Sequence, residues 1–288
     1  MKILVTGSNG QLGNEMREIS QKFPQHSFIF TDVNELNICD KDAVLSFFKK
    51  ENPDFIVNCA AYTAVTKAEG DFDKSLLLNR DAVRNLGEAA ASVGSKVIHI
   101  STDYVFNGNS FLPYTESQDV NPQTVYGKTK YEGEVALQES TPDHVIIRTS
   151  WLYSSFGNNF VKTMIKLGKE KEKLTVVFDQ IGHPTYAADL ADAIMAIVNS
   201  NSFIPGVYHF SDEGVCSWYD FTIAIHHLYG ITSCDVQPLL SKDYPDKTPR
   251  PHYSVLDKAK IRNTYNIKIP HWFDSLDKCI QLIKQKEN

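Results

Sequence analysis

The sequence lacks the segments that would direct a protein to a membrane or to nucleic acid. Its first apolar stretch, Ile3 to Val5, is short and a glycine turn follows at once, so we expect neither a signal peptide nor a membrane span. It has no long basic run and a formal net charge of −6. This charge pattern argues against binding to the phosphate backbone of nucleic acid.

Cysteine is also scarce. The five cysteines are scattered and lack C-x-x-C spacing, which is typical of reduced thiols and predicts a cytoplasmic protein. No histidines and cysteines have the spacing of a zinc site, so the sequence predicts no metal. At 288 residues the chain can form one large domain, or a domain with an added lobe.

Apolar runs typical of strands alternate with helical patterns in the first half of the chain. The runs are Ile3–Val5, Phe28–Phe30, Phe55–Val57, Val97–Ile100 and Val145–Ile147. Helical patterns such as Asp42–Lys50 and Leu76–Ala91 lie between them. This alternation predicts an α/β fold with a Rossmann-type, doubly wound parallel sheet. Functional segments are then expected at the carboxyl ends of the strands.

A glycine-rich turn connects the first strand pattern to a helical one. Gly7, Gly10 and Gly13 have the spacing G-x-x-G-x-x-G, which lets a pyrophosphate approach backbone N–H groups at the positive end of a helix. The second strand pattern is followed by Asp32, where a dinucleotide site needs an acceptor for a ribose hydroxyl. The order of these features predicts dinucleotide binding.

Tyr126 and Lys130 lie four residues apart in the run TVYGKTKYEGE. On a helix this spacing puts a phenol and an ammonium on one face. A nearby cation favours the phenolate, so the pair is a candidate general acid and base. Thr102 follows the fourth strand pattern, and its hydroxyl can polarise a substrate carbonyl. The three residues are our candidate catalytic set for proton transfer during keto reduction.

The character of the sequence changes after about Trp151, where loop-forming prolines become frequent. Short strand patterns, Thr175–Phe178 and Gly206–Phe210, alternate there with helical ones. We expect an NAD(P)-binding domain over residues 1–150 and a smaller, mainly substrate-binding lobe over residues 151–288. Some of the later segments are expected to return to the first sheet.

Several motifs together resemble the dTDP-4-dehydrorhamnose reductase family of the extended short-chain dehydrogenase/reductase superfamily. They are TGSNGQLG (6–13), NCAAYTAV (58–65), STDYVFNG (101–108), YGKTK (126–130), RTSWLY (148–153), DQIGHPT (179–185) and RPHYSVLD (250–257). The resemblance implies reduction of the C4 keto group of dTDP-4-dehydro-L-rhamnose (dTDP-6-deoxy-L-lyxo-4-hexulose) to dTDP-L-rhamnose. It also implies a nucleotide-sugar substrate and NADPH or NADH as cofactor.

The resemblance assigns a role to each matching residue. Cofactor contacts would come from Gly7, Gly10, Gln11, Leu12, Asp32, Asn37, Ile38, Ala60, Ala61, Tyr62, Tyr126 and Lys130. Substrate contacts would come from Thr102, Asp103, Trp151 and Arg250. Of these, Tyr126 would be the proton donor and Lys130 its partner. Arg250 would pair with the diphosphate, because a planar guanidinium suits phosphate oxygens.

Two positions bear on the reaction and on assembly. Nucleotide-sugar dehydratases have Thr-Asp-Glu where this chain has Thr102-Asp103-Tyr104, so reduction is chemically more natural than elimination of water. Some members of the family dimerise through a metal held by glutamates. Glu15 matches one such ligand, but Ala188 replaces a second, so a metal-bridged dimer is not expected. Monomer and homodimer both stay open.

The sequence leaves alternative functions open. C4 epimerases share the catalytic set, and a related reductase would act on another nucleotide sugar. A non-catalytic NAD(P)-binding regulatory subunit of the same fold is a third interpretation, which the intact set disfavours. Asp32 favours a free ribose 2′-hydroxyl and Val33 and Asn34 offer no cation, yet the family commonly accepts NADPH. We therefore predict use of both cofactors.

Overall fold

The computed structural model of the protein describes residues 1–287. The strands are β1 (Lys2–Thr6), β2 (Ser27–Thr31), β3 (Phe55–Asn58), β4 (Lys96–Thr102), β5 (His144–Thr149), β6 (Leu152–Tyr153), β7 (Lys173–Val177), β8 (Ile181–Gly182), β9 (Thr185–Tyr186), β10 (Gly206–His209), β11 (Cys216–Ser217) and β12 (Asp235–Leu239). The α-helices are α1 (Gln11–Ser20), α2 (Lys41–Glu51), α3 (Val65–Ala68), α4 (Phe72–Leu76), α5 (Ala82–Val93), α6 (Val125–Ser140), α7 (Phe160–Glu170), α8 (Ala187–Val198), α9 (Trp218–Tyr229), α10 (Ala259–Tyr265) and α11 (Trp272–Glu287).

Six strands form a parallel sheet in the order β10-β5-β4-β3-β1-β2. The predicted Rossmann-type sheet is confirmed, and each of the five apolar runs is one of its strands. β1 pairs with β2 on one side and with β3 on the other. The direction of winding therefore reverses beside β1, and a crevice for ligands opens there at the carboxyl ends of the strands.

Helices cover both faces of the sheet. On one face, Ile3 and Val5 of β1 pack with Met16 of α1 and Ile194 of α8. On the other face, Leu4 of β1 belongs to a separate apolar cluster that includes α2 and α5. Alternate residues of a strand point to opposite faces, so both faces of this apolar strand must be covered.

The helical pattern over Leu76–Ala91 is interrupted. Residues Leu77–Asp81 form a π-helical turn between α4 and α5. Asn79 lies in this turn, fully buried, and its side chain accepts from the backbone N–H of Tyr62 and donates to the carbonyl of Tyr62. The widened turn points the side-chain amide of Asn79 at the loop that contains Tyr62. This tertiary contact cannot be predicted from the periodicity of apolar residues.

Parts of the second half return to the sheet. β10 pairs with β5, and α8 packs beside α1. Much of the rest forms its own apolar cluster, in which α7 and α9 pack on the paired strands β7 and β12, and α11 packs on α9. The division of the chain at residue 150 stays a prediction. Within residues 1–287, no helix has both the length and the apolar character needed to cross a membrane.

Candidate active site

The glycine turn fits a bound pyrophosphate. Gly7 has φ +65°, and a Cβ there would lie 2.7 Å from the Cα of Ala60, while a Cβ on Gly13 would lie 2.4 Å from the Gly7 carbonyl oxygen. Only glycine permits this close packing. α1 begins at Gln11 without a side-chain cap. The N–H groups of its first turn therefore have no partner within the helix and can bind an anion.

Asp32 lies beside this turn, as expected. Its carboxylate accepts the backbone N–H of Asn9 at 3.0 Å and that of Val33 at 2.8 Å. A cation that we did not predict lies close by. The guanidinium of Arg17 is 4.3 Å from the ring centre of Phe30, and its Nη2 is 3.4 Å from Ser8 Oγ. Arg17 follows Gly13 by one turn of α1, so the sequence alone could have predicted a cation close to the glycine turn.

A cavity of about 590 Å³ lies at the carboxyl edge of the sheet. It brings together most of the predicted residues: Gly10, Gln11, Leu12, Ala61, Thr102, Asp103, Tyr126, Lys130, Trp151 and Arg250. The other predicted cofactor residues do not line it: Gly7, Asp32, Asn37, Ile38, Ala60 and Tyr62. In particular, Tyr62 directs its hydroxyl at Asp71, and Ile38 is buried with its carbonyl bonded to Asn85.

Tyr126 lies in the first turn of α6. The side chain of Thr124 caps this helix by accepting the N–H of Gly127 at 3.0 Å, so Tyr126 follows the cap by two residues. Burial raises the pKa of Tyr126 above its usual range, whereas a hydrogen bond with Thr102 acts to lower it. We expected Lys130 to lower this pKa overall. The structure gives the opposite direction, because the effect of burial dominates.

Lys130 is buried one turn further along α6. Its Nζ donates to the carbonyl of Ile100 at 2.6 Å. Burial lowers the pKa of Lys130 to about 8, and the carboxylate of Glu134 acts in the opposite direction. Arg148 in turn binds Glu134 through two nitrogens, at 2.9 and 2.7 Å. Burial thus brings the pKa of Lys130 closer to neutral pH than that of an ordinary lysine.

Thr102 and Asp103 form a buried polar pair. The Thr102 hydroxyl donates to Asp103 at 3.0 Å and accepts the backbone N–H of Tyr104 at 3.2 Å. Burial raises the pKa of Asp103 to about 7, with the Thr102 hydrogen bond acting to lower it. The second carboxyl oxygen of Asp103 has no partner at hydrogen-bond distance in residues 1–287, although the nearby Ser254 hydroxyl acts to lower the pKa of this group. A buried polar atom of this kind, at the edge of a cavity, is available to a ligand.

Two stacked indoles form one wall of the cavity. Trp151 and Trp218 have ring centres 3.5 Å apart and planes 11° apart. Trp151 has φ +46°, an uncommon conformation for a bulky residue that costs free energy and is often found at functional sites. Trp218 was missed, because nothing in its local sequence at the start of α9 indicates a place beside the catalytic set.

Arg250 lines this cavity and also a second cavity of about 480 Å³. Its Nη2 lies 3.2 Å from Asp246 and 3.4 Å from the hydroxyl of Thr66, which itself donates to Asp246 at 2.8 Å. Tyr104 also lines both cavities. The guanidinium is therefore fixed at the junction of two spaces that together suit an elongated anionic ligand.

The residues around Glu15 do not fit a divalent cation. Glu15 is buried and accepts the hydroxyl of Ser154 at 2.5 Å, and burial raises the pKa of its carboxyl group. Ala188 lines the same cavity, of about 500 Å³, and its side chain offers no ligand. No group of three or more His, Cys, Asp or Glu within the described part of the chain is arranged to hold a metal.

Comparison with known proteins identifies the family. The model described as "RmlD substrate binding domain" matches residues 1–285. The chain is 41% identical to the spore coat polysaccharide biosynthesis protein SpsK of Bacillus subtilis (strain 168), over 97% of each chain. A solved dTDP-4-dehydrorhamnose reductase from Clostridium acetobutylicum is 43% identical, with a TM-score of 0.94 and coverage of 99% of this chain and 100% of that one.

The chain belongs to the dTDP-4-dehydrorhamnose reductase family. A second solved reductase of the family, from Bacillus anthracis and in complex with NADP, is 37% identical, with a TM-score of 0.93 over 98% of this chain and 99% of that one. The family resemblance inferred from the sequence motifs is thus confirmed. The role of each individual site residue remains a prediction.

Proposed function

We propose that this protein, as a member of its reductase family, reduces the C4 keto group of dTDP-4-dehydro-L-rhamnose to dTDP-L-rhamnose with NADPH or NADH. One observation carries the assignment of residues. The Tyr126 phenol shares a cavity with Thr102, with Lys130 and with the uncapped end of α1. The proposed proton donor, Tyr126, and the proposed pyrophosphate site at the start of α1 therefore line the same cavity.

The chemistry is a proton transfer timed with a hydride transfer. The cofactor, when bound, supplies the hydride to C4. Tyr126 donates its phenolic proton to the carbonyl oxygen, and the Thr102 hydroxyl in the same cavity binds that oxygen and polarises the carbonyl. Lys130, one helical turn away, stabilises the developing phenolate by its charge. Trp151 and Trp218 keep water from one side of the sugar ring.

The position of Arg250 supports an orientation for the substrate. We place the diphosphate at its guanidinium, since this group lies where the two cavities meet. The keto sugar then extends toward Tyr126, and the nucleoside occupies the second cavity. An uncharged sugar alone would leave this second cavity and the guanidinium unused.

The direct test is consumption of NADPH or NADH, followed by absorbance, with dTDP-4-dehydro-L-rhamnose made by the preceding epimerase. We expect turnover with this substrate and none with the cofactor alone. Matched assays with other nucleotide-linked 4-keto sugars test specificity. Cofactor binding without turnover on any keto sugar would contradict the proposal.

The pH dependence of the reaction follows from Lys130. Since burial lowers its pKa to about 8, the ammonium predominates below that pH and is lost above it. We expect kcat/KM for reduction to fall as the pH rises through about 8. Cofactor affinity measured over the same range is the control. A profile that stays flat to about pH 10, where an ordinary lysine titrates, would contradict this role.

Cofactor choice is expected to depend on Arg17. Its guanidinium lies beside Ser8, next to Asn9, which Asp32 binds. It can therefore pair with a ribose 2′-phosphate that the Asp32 carboxylate alone would repel. We expect Arg17→Ala to lower kcat/KM for NADPH by about tenfold, equivalent to about 1.4 kcal/mol, with little change for NADH. Arg84→Ala on α5 is the matched control, and equal losses for both cofactors would contradict the assignment.

Two further points belong to this proposal. A cytoplasmic location is consistent with the cysteines, all five of which are free thiols. Assembly as a monomer or a homodimer stays a prediction, to be checked by the molar mass in solution.

A further inference from the structure

His99 lies in the middle of β4, fully buried between two polar side chains. Its Nδ1 is 3.0 Å from Nδ2 of Asn58, and its Nε2 is 3.3 Å from Nζ of Lys130. The mechanism above does not use this imidazole. The imidazole nevertheless contacts Lys130, the partner of the proposed proton donor Tyr126.

The hydrogen bonds of Asn58 fix which way its amide faces. The side-chain oxygen of Asn58 accepts the backbone N–H of Ala60 at 3.1 Å and the hydroxyl of Thr6 at 2.7 Å. Because a backbone N–H can only donate, the group facing Ala60 must be the oxygen. The amide nitrogen therefore faces His99 and donates to Nδ1.

The imidazole of His99 has a single proton. Burial, and the charge of Lys130, lower the pKa of His99 well below its usual range, so the ring is neutral. A neutral imidazole has one donor and one acceptor nitrogen. Since Nδ1 accepts from Asn58, the proton is on Nε2 and points at Lys130.

Lys130 therefore faces a donor. Its Nζ already donates to the carbonyl of Ile100. An ammonium has no lone pair, so it cannot accept the N–H of His99, whereas an amine can. We propose that His99 is a positioning residue, which donates Nε2–H to Lys130 and so favours the amine form of Lys130 over the ammonium form.

Burial also disfavours the ammonium form of Lys130, but the charges of the other groups around it do not add to this bias. On its own helix, Glu134 favours the ammonium, but this carboxylate is shared with Arg148 of β5. Tyr126 and, from the end of β3, Cys59 are neutral, since burial raises the pKa of both. Asp103, beyond β4, donates no hydrogen bond to Lys130 and its charge would favour the ammonium. Of the two hydrogen-bond partners of Lys130 Nζ within residues 1–287, His99 alone can offer an N–H.

The first test reads the tautomer and does not depend on activity. Two-bond ¹H–¹⁵N correlation spectra of the ¹⁵N-histidine-labelled protein distinguish Nε2–H from Nδ1–H, and the spectrum of His99→Asn assigns the signal. We expect the Nε2–H tautomer from about pH 6 to about pH 9. An Nδ1–H tautomer or an imidazolium would overturn the proposal. This test measures no turnover, so its result does not depend on whether the protein is the proposed reductase. Only the effect of His99 on catalysis rests on the proposed function.

The second test removes only the donor. In His99→Asn, the side-chain oxygen takes the place of Nδ1 and still accepts from Asn58, but no N–H reaches Lys130. We expect the Lys130 titration, followed by ¹³C NMR of labelled lysine, and the basic limb of kcat/KM to move up by about one pH unit. His227→Asn, at an exposed site on α9, is the matched control. Identical titration in the two variants would overturn the proposal. If His99→Asn does not fold, the tautomer spectrum decides it, with the His99 signal assigned through correlations to its own backbone.

Discussion

Tyr126→Phe is expected to reduce turnover of the 4-keto sugar by about 10²–10⁴-fold. The substitution removes one oxygen, and with it the proton that the carbonyl oxygen needs as hydride arrives. Cofactor affinity should change little, because the uncapped end of α1 and the loop after β3 are left intact. Single-turnover rates with NADPH, together with a separate measurement of cofactor binding, check both parts.

Tyr131→Phe is the matched control for this variant. Tyr131 lies on the same helix but packs against the separate cluster of Val105, Phe106 and Leu256, away from the cavity. It should retain nearly full activity. Undiminished turnover in Tyr126→Phe would show that another group donates the proton. A loss of the same size in both variants would indicate damage to α6 instead of lost chemistry.

Glu134→Ala is expected to destabilise the fold by about 3–5 kcal/mol, since it leaves a buried guanidinium without its partner. The side chains of Glu134 and Arg148 are 1% and 4% exposed, and Ser101 also donates to Glu134. The pair connects α6 to β5 directly behind Lys130. Urea unfolding, analysed for the free energy of unfolding, measures the loss.

An exposed ion pair of similar length provides the comparison. Arg84 and Glu139 are 2.8 Å apart, but their side chains are 41% and 56% exposed. Solvent screening makes such a pair weak, so Glu139→Ala should cost no more than about 1 kcal/mol. Replacing Glu134 and Arg148 together by methionine should recover part of the stability, because no buried guanidinium is then left without its partner. Equal losses for Glu134→Ala and Glu139→Ala would contradict this account.

Much of the fold was predictable because its signals are local. Each strand of the first half is a short apolar run, and the glycine spacing and Asp32 mark the loops between them. Tyr126 and Lys130 share one helix, so their spacing alone places them together. The motifs then identified the family, which the comparisons confirm.

The parts that were not predictable depend on contacts between distant segments. Trp218 and His99 reach the site only because helices and strands pack in a particular way. The π-helical turn at Asn79 exists for a bond to Tyr62, which periodicity cannot reveal. The direction of the Tyr126 pKa was also missed, since burial is a property of the folded molecule and not of a spacing.

In the reaction that we propose, with Tyr126 as the acid, its place in the first turn of α6 has a consequence for the rate. Side chains of a helix tilt toward its amino end, which carries a partial positive charge. At rest the phenol is neutral, and this charge does little for it. As the proton leaves, the phenolate forms beside the helix end. The helix that carries the acid therefore stabilises the transition state more than the ground state, which is the difference that accelerates a reaction.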